Sequence, residues 1–240
     1  AVSDSNSAAN TVAENAADDA TVGVTGSASD ADGSTNTITY TMTDSTTACA
    51  NWFDIDSSSG VVTVDGTSLN YEAATSCDIV INAESADGSD SDSSTISIAI
   101  TDHDEFDTGA VSDSNSAANT IAENAAVAAG TGVTASASDA DGSTNAITYS
   151  MTSQSCTDSF GVDSSSGAVT LATANLNYES ATSCTVTIKA TSADASHASE
   201  TFTIAVTDID EFDVGAVSDS NSAANTVAEN AADDATVGVT

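Results

Sequence analysis

The chain has 240 residues and an extreme acidic balance, with 37 Asp and Glu residues against one basic residue and a formal charge of −36. This charge excludes nucleic acid as a partner, because the chain cannot neutralise phosphates, and it argues against direct insertion into a membrane with an anionic surface. A disordered acidic tail is the alternative. However, 40% of the residues are hydrophobic and they alternate along the chain, which favours a folded protein.

An internal repeat divides the chain. Residues 1–25 return unchanged at 216–240, and a looser copy lies at 110–134. The spacing of these copies matches one small domain rather than one solenoid rung. The predicted units are a first repeat over 1–107, a second repeat over 108–213 and the start of a third over 214–240. Because the chain begins without Met and stops inside the third unit, we interpret it as a segment of a longer array.

Short segments of alternating apolar residues predict seven strands in each repeat. In the first repeat these segments are residues 11–13, 22–28, 37–43, 53–56, 61–64, 77–81 and 96–100. The second repeat follows the same order, and neither repeat contains a long helical period. The predicted fold is therefore all-β, in the form of tandem seven-stranded Greek-key β-sandwiches.

Each repeat holds one pair of cysteines at equivalent positions. Cys49 and Cys77 have the same separation as Cys156 and Cys184. One cysteine follows the third predicted strand and the other opens the sixth, so antiparallel pairing of these strands would bring the sulfur atoms together. A metal site is the alternative, but no CxxC motif or histidine cluster accompanies the thiols. We predict one disulfide per repeat and an extracellular or cell-surface location, where disulfides persist.

The carboxylates recur in four short motifs. Glu-Asn follows the first strand, Ser-Asp-Ala-Asp-Gly follows the second, Asn-Tyr-Glu precedes the cysteine-bearing sixth strand, and Thr-Asp-x-Asp-Glu-Phe-Asp ends each repeat. Gathered carboxylates repel one another unless a cation binds, and oxygen-only ligands in irregular geometry favour Ca²⁺ over Mg²⁺. A solvated acidic surface suited to high salt is the alternative. It explains the total charge but not the placement of the motifs.

These motifs resemble those of the cadherin repeat, an immunoglobulin-like sandwich, and the resemblance covers the whole chain. Cadherin domains bind three Ca²⁺ ions where consecutive domains meet. For the first junction the resemblance implies the ligands Glu14, Glu72, Asp102, Asp104, Glu105, Asp139, Asp141, Asn145 and Asp194. For the second junction it implies a half-site of Glu123, Glu179, Asp208, Asp210 and Glu211. An upstream half-site would contain Asp30, Asp32, Asn36 and Asp87.

The chain departs from the family pattern at positions that bear on these ligands. Asn replaces Asp before Tyr-Glu, and the linkers read DHDEF and DIDEF without proline. Ser85 and Ser192 occupy the position of a further ligand, for which Asp87 and Asp194 would substitute two residues on. We therefore expect two Ca²⁺ ions per junction, and a third ion depends on this substitution.

The resemblance and the repeats predict a structural module of an extracellular fibre or adhesin stalk stiffened by calcium, with neighbouring repeats as its partners. One alternative is a filament whose subunits exchange the identical strand-forming segment. Another is an adhesive domain for a cell-surface or matrix partner that the sequence does not identify. Neither His103 nor His197 recurs in the other repeat, so catalysis is not predicted. Trp52 has no counterpart in the second repeat, and the sequence leaves open whether it lies in the core or on the surface.

Overall fold

A computed structural model of the chain describes residues 1–31, 34, 36–66, 69–88 and 91–240, without the side chain of Ser91. Each repeat contains two four-stranded sheets arranged as a sandwich, which confirms the predicted all-β class. A short 3₁₀ turn lies at Thr47–Cys49. Within the described ranges, no helix is both long enough and apolar enough to cross a membrane.

Eight strand segments build the first repeat: β1 (Ser3–Asp4), β2 (Thr11–Ala13), β3 (Thr21–Ser27), β4 (Ile38–Asp44), β5 (Phe53–Ile55), β6 (Val61–Val64), β7 (Ser76–Ser85) and β8 (Ser91–Thr101). The second repeat matches them with β9 (Ser112–Asp113), β10 (Thr120–Ala122), β11 (Gly130–Ser136), β12 (Thr148–Gln154), β13 (Phe160–Val162), β14 (Ala168–Leu171), β15 (Ser183–Thr191) and β16 (His197–Thr207). The sheet orders are β1-β3-β6-β5 and β2-β8-β7-β4 in the first repeat, and β9-β11-β14-β13 and β10-β16-β15-β12 in the second.

The first strand of each repeat is divided between the two sheets. In the first repeat, β1 pairs antiparallel with β3, whereas β2 pairs parallel with β8 in the opposite sheet. The second repeat has the same arrangement at β9 and β10. The sequence predicted β2 but missed β1, because a two-residue polar segment has no detectable alternation.

Alternating inward and outward side chains give each repeat its own core. Along β7, Cys77, Ile79 and Ile81 are each 0% exposed, whereas Asp78 between them is exposed. Full burial of an aliphatic side chain contributes about 1.5–3 kcal/mol. Trp52 is 6% exposed and belongs to the first core, which answers the question that the sequence left open.

One disulfide links two neighbouring strand ends in each repeat. Cys49 is bonded to Cys77 and Cys156 to Cys184, with Cα–Cα distances of 6.0 and 5.6 Å. Because β4 runs antiparallel to β7, and β12 to β15, the end of one strand lies beside the start of the other. On a chain-entropy model each bond stabilises its sandwich by about 3–4 kcal/mol.

The third copy of the opening segment differs from the first two. Residues 216–240 are all described, and they contain turns but no strand. The two cores lie within the predicted repeats, and we retain 1–107, 108–213 and 214–240 as proposed units.

Candidate metal centre

One buried glutamate lies at the end of each sandwich. Glu14 directly follows β2 and is 8% exposed. Its carboxylate accepts hydrogen bonds from the backbone N–H groups of Tyr71 and His103, both at 2.6 Å. Glu123 accepts the equivalent two bonds in the second repeat, at 2.7 and 2.8 Å. Because charge-assisted hydrogen bonds are strong, each glutamate fixes the Asn-Tyr-Glu segment and the start of the linker beside the end of its strand.

Three groups of carboxylates, here called the junction cluster, meet where the first repeat ends and the second begins. The first triad is Glu14, Asp102 and Glu105, the second is Glu72, Asp102 and Asp141, and the third is Asp104, Asp141 and Asp194. Within each triad one oxygen per residue lies within 4.8 Å of the others. Asp102 and Asp141 each belong to two triads, so the carboxylates form one continuous chain across the junction.

The ends of strands position these side chains. Asp102 follows the last residue of β8, and Asp141 lies in the turn after β11. Asp194 lies in the tight turn between β15 and β16. The third triad therefore contains Asp194, the expected substitute for the family ligand whose position Ser192 occupies.

The two repeats also contact each other directly. The N–H group of Gly142 donates a hydrogen bond to Glu72 Oε1 at 2.9 Å, and the Ser143 hydroxyl donates one to Asp102. Gly142 lies against the Tyr71 ring so closely that a Cβ atom there would overlap the ring carbons. Glycine therefore permits this approach of the two repeats. Tyr71, Gly142 and Ser143 were not among the expected site residues, although Asp-Gly-Ser and Asn-Tyr recur in both repeats.

Asp141 organises the turn on the side of the second repeat. It is 1% exposed and accepts hydrogen bonds from the N–H groups of Glu105 and Phe106 at 3.3 and 3.2 Å. Its own N–H donates to Asp139 at 3.2 Å, and its carbonyl accepts a bond from Asn145 at 2.7 Å. The structure thus places the expected ligands Asp139 and Asn145 beside the junction cluster, and Asp139 belongs to none of its triads.

Two carboxylate oxygens at the junction are buried without a hydrogen-bond partner in the described part of the chain. They are Asp102 Oδ1 and Asp139 Oδ2. An unpaired buried polar atom costs free energy. A bound Ca²⁺ ion would satisfy such atoms, because it takes about 6–8 oxygen ligands at variable geometry. Since the triads consist of carboxylates alone, the residues present fit Ca²⁺.

Hydrogen bonds, burial and repulsion shift the pKa values of acids in the junction cluster. A hydrogen bond to Asp141, together with burial and nearby charges, raises the pKa of Asp104. Burial, followed by repulsion from Glu14 and other acids, raises the pKa of Glu105. Burial opposes the ionisation of Asp141, but the hydrogen bond from Asp104 and those from backbone N–H groups lower its pKa. A cation bound at the cluster would therefore compete with protons.

The second junction contains a smaller group. Glu123, Glu179 and Glu211 bring one oxygen each within 4.8 Å of one another. Burial, followed by repulsion from the first two glutamates, raises the pKa of Glu211, and Asp208 adds to this repulsion. The expected ligands Asp208 and Asp210 are exposed, and neither belongs to this triad.

The expected upstream half-site is described only in part. Asp30 accepts a hydrogen bond from the Ser85 hydroxyl at 2.5 Å. Asn36 and Asp87 are exposed, and Asp32 lies outside the described residues. Among the described residues, no carboxylate triad contains a member of this set.

Comparison with known proteins identifies a family and a fold. The family model for the cadherin domain matches residues 9–101 and 118–207. No curated protein sequence matches the chain. The fold is similar to the protocadherin gamma B4 extracellular domain, with a TM-score of 0.67 and 20% identity over 85% of this chain and 31% of that one. It is also similar to mouse cadherin-23 EC22-24, with a TM-score of 0.62 and 21% identity over 85% and 64%.

A further similar structure is protocadherin gamma B2 extracellular cadherin domains 3–6, with a TM-score of 0.63 and 18% identity over 83% of this chain. The chain spans 50% of that structure. At such identities the likeness concerns the fold alone. These similarities therefore do not indicate which ligands or partners this chain binds.

Proposed function

Since the chain belongs to the cadherin family, whose domain model matches both repeats, we propose that it is a structural module of an extracellular or cell-surface fibre or adhesin stalk. In this proposal Ca²⁺ bound between consecutive repeats stiffens the fibre, and the neighbouring repeats are the partners. The role is mechanical, not enzymatic. The observation that carries the proposal is the continuity of the three triads through Asp102 and Asp141.

The division of ligands between the repeats explains how binding would stiffen the array. The second and third triads combine acids of the first repeat and its linker with acids of the second repeat. Two unit charges at 4 Å repel by about 1 kcal/mol in water and more near a protein surface. Without a cation this repulsion favours separation of the repeats, whereas a shared divalent cation neutralises the acids and links metal binding to the orientation of the repeats.

Composition and covalent structure support the same proposal. The chain contains no proline, so polyproline character cannot stiffen the linker at 102–107. The two disulfides favour a compartment outside the cytosol. A cation shared by the carboxylates of both repeats would add to the direct contacts at the junction, in which Gly142 and Ser143 donate hydrogen bonds to Glu72 and Asp102.

The test is small-angle X-ray scattering of the full chain in calcium and in EGTA. We expect an extended, rigid particle in calcium and a flexible one after chelation. Asp102→Asn should raise the calcium concentration needed for stiffening, because it weakens two triads at once. Asp107→Asn is the control in the same linker, because Asp107 is exposed and belongs to none of the triads, and it should resemble the parent. Stiffness that is unchanged by chelation would contradict the proposal.

A second variant leaves every carboxylate in place. Gly142→Ala should push the Tyr71 ring and the second repeat apart, so that stiffening again needs more calcium. Gly130→Ala is the control in the same repeat, because a Cβ atom there meets nothing within 4 Å. If both variants behave like the parent, the close approach at Gly142 does not contribute to the junction.

A filament joined by strand exchange is a second candidate. Val217 is 99% exposed, although the same valine is buried in the first copy of the segment. In this candidate, residues 216–240 of one molecule would replace 1–25 in another. Sedimentation of the chain should then show association that depends on concentration and is lost when 216–240 are deleted. A monomer at every concentration would exclude exchange.

A further inference from the structure

The two repeats differ at one core position next to the disulfide. The N–H group of Trp52 donates to the carbonyl of Cys49 at 3.0 Å, and that of Ser159 donates to the carbonyl of Cys156 at 3.3 Å. The carbonyls of Trp52 and Ser159 accept equivalent bonds from the N–H groups of Asp65 and Ala172, which directly follow β6 and β14, at 2.9 and 2.7 Å. Ser159 therefore occupies the position in the second repeat that Trp52 occupies in the first.

The missing indole changes the burial of its surroundings. In the first repeat Cys49 is 1% exposed and Leu69 is 7% exposed, in the same core as Trp52. Their counterparts Cys156 and Leu176 are only half-buried. Ser159 is itself 2% exposed, so the second repeat has a small buried side chain at the position of the indole, beside a cysteine and a leucine that are more exposed than their counterparts.

An open cavity of about 310 Å³ lies at this place in the second repeat, with walls that include Cys156, Ser159, Asn175, Leu176, Ala181 and Cys184. This volume lies at the lower end of the range for small-ligand pockets, about 300–1,000 Å³. Hydrogen bonds hold one wall in place, because the Ser159 hydroxyl donates to Asn175 Oδ1 at 2.8 Å and the Asn175 amide donates to the Thr157 carbonyl at 3.0 Å. The polar groups of this wall are therefore paired with each other, and the half-buried Leu176, Ala181 and Cys156 offer apolar surface.

We propose that this cavity binds a planar aromatic group of indole size. The first repeat supports the assignment, because the same backbone frame there buries an indole in a core that also contains Cys49, Cys77 and Leu69. Aromatic rings also gain favourable contacts with sulfur and with apolar side chains. The ligand is supplied either as a free small aromatic molecule or as a tryptophan side chain of another protein, and the chemistry recognised is the same.

The experiment is a methyl NMR titration of the full chain in calcium, with free indole in one arm and the tripeptide Gly-Trp-Gly in the other. We expect saturable shifts at Leu176 and Ala181, and none at the equivalent Leu69 and Ala74, where Trp52 already fills the site. Binding of indole alone identifies a small aromatic ligand, and binding of the tripeptide identifies a side chain. The absence of saturable shifts in both arms overturns the proposal.

Two reciprocal variants give the proposal its sharpest test. Ser159→Trp should fill the cavity and weaken binding at least about tenfold, with the circular dichroism spectrum unchanged. Trp52→Ser should open a second cavity and add ligand-induced shifts at Leu69 and Ala74. Where Trp52→Ser fails to fold, Ala181→Leu narrows the original cavity and should also weaken binding. Unchanged affinity in Ser159→Trp overturns the assignment of the site.

Discussion

Residues 1–25 and 216–240 share one sequence but adopt two different structures. Residues 1–25, the first copy, contain β1, β2 and most of β3, whereas residues 216–240, the third copy, contain no strand. In the first copy the four valines are 7%, 7%, 0% and 1% exposed, at Val2, Val12, Val22 and Val24. In the third copy they are 99%, 56%, 44% and 57% exposed, at Val217, Val227, Val237 and Val239.

The local turns persist in both copies. Asp4 Oδ1 accepts hydrogen bonds from the N–H groups of Asn6 and Thr25 at 2.9 and 3.0 Å. Asp219 accepts the two equivalent bonds at 3.0 and 3.2 Å. The difference lies in the partners, since β2 pairs with β8 and β3 pairs with β6 in the first copy. The turns are therefore encoded within the segment, whereas strand formation and burial depend on the rest of a repeat.

Replacing an equivalent valine by aspartate should give the largest difference in stability between variants of the first and the third copy. Val22→Asp places a carboxylate at a position that is 0% exposed, and we expect it to destabilise the first repeat by about 4 kcal/mol or more. Val237→Asp has the same sequence neighbours at a position that is 44% exposed. It should leave the free energy of unfolding of the first repeat unchanged. Urea unfolding followed by the fluorescence of Trp52, the only tryptophan, measures the first repeat directly. Equal effects would show that Val237 contributes to the stability of the first repeat, contrary to the difference between the two copies.

Completing the third repeat should remove the difference between the copies. Appending a second copy of residues 26–107 after Thr240 supplies the strands that the first copy uses. We expect amide exchange at Val227 and Val237 to slow by about a thousandfold or more, which corresponds to about 4 kcal/mol of local stability. An extension with the same residues in scrambled order is the control. If exchange stays fast in the complete repeat, identical sequence does not lead to an identical fold here.

These comparisons show why the sequence predicted some features and not others. The strong alternation of Ile79 and Ile81 identified β7, and the repeated acidic motifs identified the acids that the structure brings together at the junction. The contact between Tyr71 and Gly142 was not predictable, because it depends on the orientation of one repeat relative to the next. The position of Trp52 was also undecided, since one aromatic residue without a counterpart gives no periodic signal.

The glutamate after the first strand should show a smaller difference. Glu14 is 8% exposed and accepts two backbone hydrogen bonds, so Glu14→Gln should destabilise the first repeat by about 1–3 kcal/mol. Glu229, its counterpart in the third copy, is exposed. Glu229→Gln should therefore have no effect on the unfolding of the first repeat. Trp52 fluorescence in EGTA isolates the hydrogen bonds from any metal effect. A neutral Glu14→Gln would mean that the anchoring bonds contribute no net stability.

The smallest difference should be between the pKa values of two equivalent turn aspartates. They are Asp113, whose copy pairs with other strands, and Asp219, whose copy does not. Burial opposes the ionisation of Asp113, but hydrogen bonds from the N–H groups of Thr134 and Asn115 lower its pKa below the ordinary value of 3.8. A hydrogen bond from the N–H group of Asn221, with others, lowers the pKa of Asp219 as well. A pKa that is lower in the folded state adds stability above pH 3.8, and this contribution is lost as the pH falls through the folded value.

Carboxyl-carbon NMR should therefore report a depressed pKa for both residues, because the turn forms without strand pairing. The consequences differ, however. Acidification through the pKa of Asp113 should weaken the whole second repeat, whereas titration of Asp219 should open its turn alone. An ordinary pKa at Asp219 together with a depressed one at Asp113 would show that even this local turn needs the sheet, and the division between locally and globally encoded structure would then lie within the segment itself.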